Sequence, residues 1–136
     1  MQVSVAVTGA VNVRGTTTKR FYASLGPASC AEYVQGKEGR FELPTLISTT
    51  INGHQVLFTN QLTPYHGPGA YSRSTLTGQG GSATIEIDNV AYGLDPDSQA
   101  SVTVAPDASG SVTFSHWGGD VNHSAVDGQV QWSCSD

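Results

Sequence analysis

Four histidines, His54, His66, His116 and His123, are the side chains in this sequence best placed to do chemistry near neutral pH. His116 and His123 bracket the loop Trp117-Gly118-Gly119-Asp120-Val121-Asn122, and two imidazoles with one carboxylate form a donor set that zinc or copper accepts. His116, Asp120 and His123 are therefore the metal candidates, although their spacing matches no standard zinc motif and exposed loop histidines are commoner than ligands. Asp95-Pro96-Asp97-Ser98 and Asp107-Ala108-Ser109-Gly110 carry oxygens that suit calcium. Neither repeats the alternating carboxylates and closing Glu of an EF-hand loop, and Asp beside Pro or Ser bonds its own backbone, so both read as turns. No Gly-x-Ser-x-Gly elbow selects a serine nucleophile. Glu32, Glu38, Glu42 and Glu86 are dispersed, so no acid/base pair can be chosen from them. The reading leans against an enzyme and expects no cofactor.

Aromatic residues offer the other chemistry. In Tyr65-His66-Gly67-Pro68-Gly69-Ala70-Tyr71 two tyrosines flank a Gly-Pro-Gly turn. It reads first as a rigid corner, since Pro fixes its own φ and Gly tolerates positive φ, and second as a ligand-binding loop. Tyr65, Tyr71, Tyr92 and Trp117 lie in or beside expected loops, where an aromatic ring can stack on a sugar. Tyr65, Tyr71 and Trp117 are accordingly the candidate ligand-binding residues, with Trp117 first. Trp132, in an alternating segment, is expected in the core.

The elements that must position these residues are strands. Two-residue alternation bounded by Gly, Pro, Asn and Asp recurs along the chain, and helical periodicity is nearly absent. Residues 2–8 form the first expected strand, 11–14 continue it or begin its partner, and Gly15-Thr16-Thr17-Thr18 suits a turn. Further strands are expected at 19–25, 41–43, 54–59, 84–88, 100–105, 111–116 and 126–134, with Pro106 to Gly110 turning one hairpin. Ser29-Cys30-Ala31-Glu32-Tyr33-Val34 alone has helical character, with Ser29 as cap and Glu32 at capping-box spacing. Roughly seven or eight short strands predict one β-sandwich domain over residues 1–136, immunoglobulin-like or a related Greek key, with a barrel as second choice.

Cys30 and Cys134 are the only cysteines in 136 residues, and a lone pair in a small β-rich chain reads first as a disulfide formed outside the cytosol. Charged residues are 12 %, about half the usual share, so polarity comes from hydroxyls and backbone. The net charge is −5 with scattered basic residues, which excludes a phosphate-tracking patch and hence a nucleic-acid partner. No apolar run reaches the roughly 20 residues of a membrane helix. The strand-like segment directly after Met1 leads to the expectation that an export signal, with or without a lipid-attachment cysteine, was removed and Met1 added for expression.

The Ser29-Cys30-Ala31-Glu32-Tyr33 segment, the Gly53-His54 strand entry, the Gly-Pro-Gly-x-Tyr element at 67–71 and the closing Gly128-Gln129-Val130-Gln131-Trp132-Ser133-Cys134 together resemble a family of small uncharacterised exported proteins and lipoproteins of Gram-positive, especially actinobacterial, type. The resemblance implies export, an extracytoplasmic β-sandwich and pairing of the two cysteines, and carries no catalytic residues. The expected function is a non-enzymatic exported or cell-surface binding module, whose partner is an extracellular glycan or a cell-surface protein. A carbohydrate or cell-wall glycan binder is the first alternative, and a secreted hydrolase with a loop-assembled site the second.

Overall fold

Val3, Val5 and Val7 alternate with Gln2, Ser4 and Ala6, which gives the segment Gln2–Gly9 one dry and one wet face and makes it a strand, β1. In the computed structural model, which describes residues 1–19, 27 and 29–136, thirteen more strands follow among the described residues. They are β2 (Val13–Thr18), β3 (Phe41–Glu42), β4 (Leu46–Ile51), β5 (His54–Phe58), β6 (Asn60–Leu62), β7 (Gly69–Ser72) and β8 (Leu76–Gly78). Then come β9 (Gly81–Ser82), β10 (Thr84–Ile87), β11 (Val90–Gly93), β12 (Gln99–Val104), β13 (Gly110–Trp117) and β14 (Val126–Ser133). A single α-helical turn, α1 (Cys30–Tyr33), is capped by the Ser29 hydroxyl, which accepts the Glu32 N–H.

The fold is an all-β sandwich with antiparallel pairing throughout. One six-stranded sheet has the order β2-β1-β14-β13-β12-β7, and two four-stranded sheets have the orders β11-β10-β5-β4 and β3-β6-β8-β9. The first and last strands are neighbours, pairing from Gln2 opposite Ser133 to Gly9 opposite Val126. Two tight hairpins have the chemistry their backbone demands: Asn52-Gly53 joins β4 to β5 and Asp88-Asn89 joins β10 to β11, all four residues at positive φ. The expected 106–110 hairpin is present between β12 and β13.

Inward residues of all three sheets form one cluster, with Val3, Val130, Val112, Phe41, Phe58 and Ile85 fully buried. Asn60 stitches the smaller sheets together. It is 3 % exposed, donates from Nδ2 to the Thr84 carbonyl at 2.8 Å and accepts the Thr84 N–H at 3.1 Å. Cys30 and Cys134, 104 positions apart in sequence, form a disulfide with Cα atoms 5.9 Å apart, which ties α1 to the end of β14.

Two expectations change. Gly15-Thr16-Thr17-Thr18 belongs to β2 rather than to a turn, because Gly15 lies opposite Val5 in the ladder with β1, so the chain turns earlier, around Ala10. The strand count is nearly double, because pieces of two to four residues such as β6, β8 and β9 are too short to show alternation. The strand expected at 19–25 lies outside the described residues, Lys19 apart.

Among the described residues no helix is long and apolar enough to cross a membrane.

Candidate functional site

Trp117 ends β13 with its ring 0 % exposed and stacked on Phe114 at 4.4 Å between centroids. It is not available as a surface platform for a sugar. The bulge between Phe114 and Trp117 is the reason: it resets the alternation so that Trp117 points inward beside Phe114. Tyr92 is likewise buried. Tyr65 is 7 % exposed, lies 4.9 Å from Phe41 and 5.6 Å from Tyr71, and donates its hydroxyl to the Val34 carbonyl at 2.5 Å. Burial, with Tyr71 beside it, pushes the Tyr65 phenol up to about 12. Tyr71 is half-buried, and its hydroxyl donates to the Gly67 carbonyl and accepts the His66 N–H, closing the 66–71 loop on itself. These tyrosines are brought together, but as the rigid corner rather than as an open aromatic surface. Trp132 is in the core and donates Nε1–H to the Ala108 carbonyl at 2.8 Å.

The histidines separate. Asp120 accepts from His123 at 2.6 Å, and His116 is drawn elsewhere. The same β13 bulge holds His116 at a φ of 56°, and its ring lies with the Asp95 and Asp97 carboxylates, their ligand atoms all within 4.8 Å of one another. Asp95, Asp97 and His116, not His116, Asp120 and His123, are therefore the residues that could hold a metal ion among those described. Asp95 is already engaged: its Oδ1 accepts the Ser98 hydroxyl and the Asp97 N–H, both at 3.0 Å. These bonds, the serine hydroxyl first, hold the Asp95 carboxyl below the usual carboxylate range. Asp107 similarly accepts the Ser109 N–H at 2.9 Å, as expected of a turn.

A cleft of about 220 Å³ lies beside α1, and among the described residues Glu32, Tyr33, Lys37, Arg40 and Glu42 line it. No histidine, serine or cysteine is among those lining residues.

The surface that sequence reading missed is the outer face of the six-stranded sheet. Register pairing aligns Thr16, Ser4, Gln131, Ser111, Thr103 and Ala70 in one row across all six strands. The next row is Arg14, Ala6, Gln129, Thr113, Ser101 and Ser72. Ser4 and Thr16 share a hydrogen bond of 3.0 Å and Ser72 pairs with Ser74 at 2.9 Å. Gln129, Gln131, Ser101, Thr103, Ser111 and Thr113 make no side-chain hydrogen bond among the described residues, so their donors and acceptors face outward unspent. Arg14 and Asp127 are the only charged side chains at outward positions of these six strands. A shallow groove of about 390 Å³ runs over Gln2, Ser4, Ser111 and Gln131. Ser4, Ser101, Thr103, Ser111, Thr113, Gln129 and Gln131 were visible as the wet half of an alternating strand, whereas Thr16 fell in an expected turn and Ser72 in no expected strand. Their alignment was not visible, because it depends on the first strand pairing with the last.

Comparison with protein-family models, with curated proteins and with solved structures finds no match to this chain.

Proposed function

We propose that this protein is a non-enzymatic, exported or cell-surface binding module of the small Gram-positive exported type, and that it binds through the outer face of its six-stranded sheet. The observation that carries this reading is the two rows of hydroxyl and amide side chains spanning six strands, most of them with no partner among the described residues. A sheet face needs polar residues only for solvation, for which charged side chains serve equally well. Here charge is nearly excluded and hydrogen-bonding groups are retained. The disulfide between Cys30 and Cys134 supports an oxidising compartment, where such bonds persist.

The test is retention of the oxidised protein on a panel of neutral and acidic polysaccharides, phosphatidylglycerol vesicles and immobilised extracellular proteins, alongside a Thr113→Lys/Gln131→Lys variant. The expected result is retention of the native protein on at least one surface and its loss in the variant at an unchanged Tm. Equal retention of both forms would overturn the assignment of the face, and retention of neither on any surface would overturn the binding reading. Mass spectrometry of the native mature protein tests export: a leader removed upstream is expected, and an intact cytosolic form would refute it.

A further inference from the structure

Resting on the binding reading just given, we infer that the ligand of the six-stranded face is a neutral polysaccharide, held by hydrogen bonds along the Ser/Thr/Gln rows. Adjacent strands are spaced by about 4.8 Å, so a row crossing six strands extends about 24 Å, the reach of an extended oligosaccharide rather than of one ring. Along each strand the second row follows about 6.7 Å away, which places donors and acceptors in a two-dimensional array. Hydroxyls both donate and accept, and the Gln129 and Gln131 amides do so from separate atoms. A polymer of hydroxyl groups is the partner that can use all of them.

Charge decides against the other macromolecules. The protein carries a net charge of −5, yet this face holds only Arg14 and Asp127, of opposite sign, on β2 and β14. A face without net charge has no field with which to draw in a polyphosphate or an acidic lipid surface. Stable protein interfaces concentrate aromatic residues, Met and Arg at their centre, whereas Ser4, Gln131, Ser111 and Thr103 occupy the centre here. An uncharged surface rich in unspent hydrogen bonds is complemented by an uncharged polyol.

Native gels containing dissolved neutral polysaccharides (a β-glucan, a mannan, a xylan) or acidic polygalacturonate test this, with the oxidised full chain run in each at about 50 and about 500 mM salt. Retardation by at least one neutral polymer is expected, little changed by salt, because no ion pair is involved. In a Thr103→Val/Thr113→Val variant the apparent affinity for that polymer should drop about tenfold, since two hydroxyls are removed while strand shape is kept. Gln131→Ala provides an independent second variant, and its affinity should fall in the same direction. Binding only to polygalacturonate, to the vesicles or to the immobilised proteins would overturn the neutral-polysaccharide assignment while leaving the binding module standing. Undiminished or stronger binding by the valine variant would overturn the hydroxyl rows as the contact. Binding to nothing in either experiment would overturn both readings.

Discussion

Asp88, Asp95 and Asp120 are carboxylates whose ionisation the fold has altered. Asp88 and Asp120 are exposed and Asp95 is half-buried, and each is held below the ordinary carboxylate range by a side-chain hydrogen bond, from His54, Ser98 and His123 respectively. A carboxyl group depressed in this way stabilises the fold above its unfolded value, about 4, and that contribution disappears as pH falls through the lower folded value. The Tm should therefore hold between about pH 7 and 5 and decline below about 4. An Asp88→Asn/Asp95→Asn/Asp120→Asn variant should melt below the native protein at neutral pH and approach it in acid; an equal gap at both ends, measured by thermal denaturation, would refute this origin. Trp117 belongs to the same scale and has a different role. With its ring fully buried against Phe114, Trp117→Ala should cost about 3–5 kcal/mol of stability, read by urea unfolding. A loss under 1 kcal/mol would mean that the ring does not support the core.

At the scale of elements, short strands are held in place by single side chains. β6 and β10 lie in different sheets, and Asn60 alone supplies both a donor and an acceptor to Thr84 across the gap. Asn60→Ala leaves two backbone groups without these partners, and a loss of about 2–4 kcal/mol is expected, with Asn60→Asp no better because it trades a donor for a buried charge. Hydrogen exchange of the Thr84 amide should accelerate in the alanine variant, and an unchanged rate would show that the bond contributes nothing. Backbone approach is equally limiting at β13, where Gly110 lies opposite Trp132 and an added Cβ would come within 2.5 Å of the indole and 2.4 Å of the Thr103 carbonyl oxygen. Gly110→Ala must therefore displace the buried indole or open the β12/β13 pairing, and a fall in Tm with altered Trp132 fluorescence is expected. Unchanged fluorescence and Tm would contradict that packing.

Across the whole molecule, the Cys30–Cys134 bond spans 104 residues and joins α1 to the last strand. Closing a loop of that length removes about 4–5 kcal/mol of unfolded-state freedom in the chain-entropy account. Reduction, or Cys30→Ala/Cys134→Ala, should lower the Tm by roughly 15 °C, and a change within a degree would show that the bond is incidental. The all-β character, the α1 cap at Ser29, the 106–110 hairpin, the core place of Trp132 and the disulfide were legible in the sequence, since each follows from residues near one another or from a pair with no other choice. Tertiary structure alone decided the sites. Whether an aromatic at a strand end faces water depends on a bulge such as the one before Trp117, which one-dimensional alternation does not encode. His116 meets Asp95 and Asp97 only because that same bulge turns it. The polar rows exist because β1 pairs with β14; a strand's own alternation fixes which of its faces is buried, but not which strand far away in sequence will lie beside it.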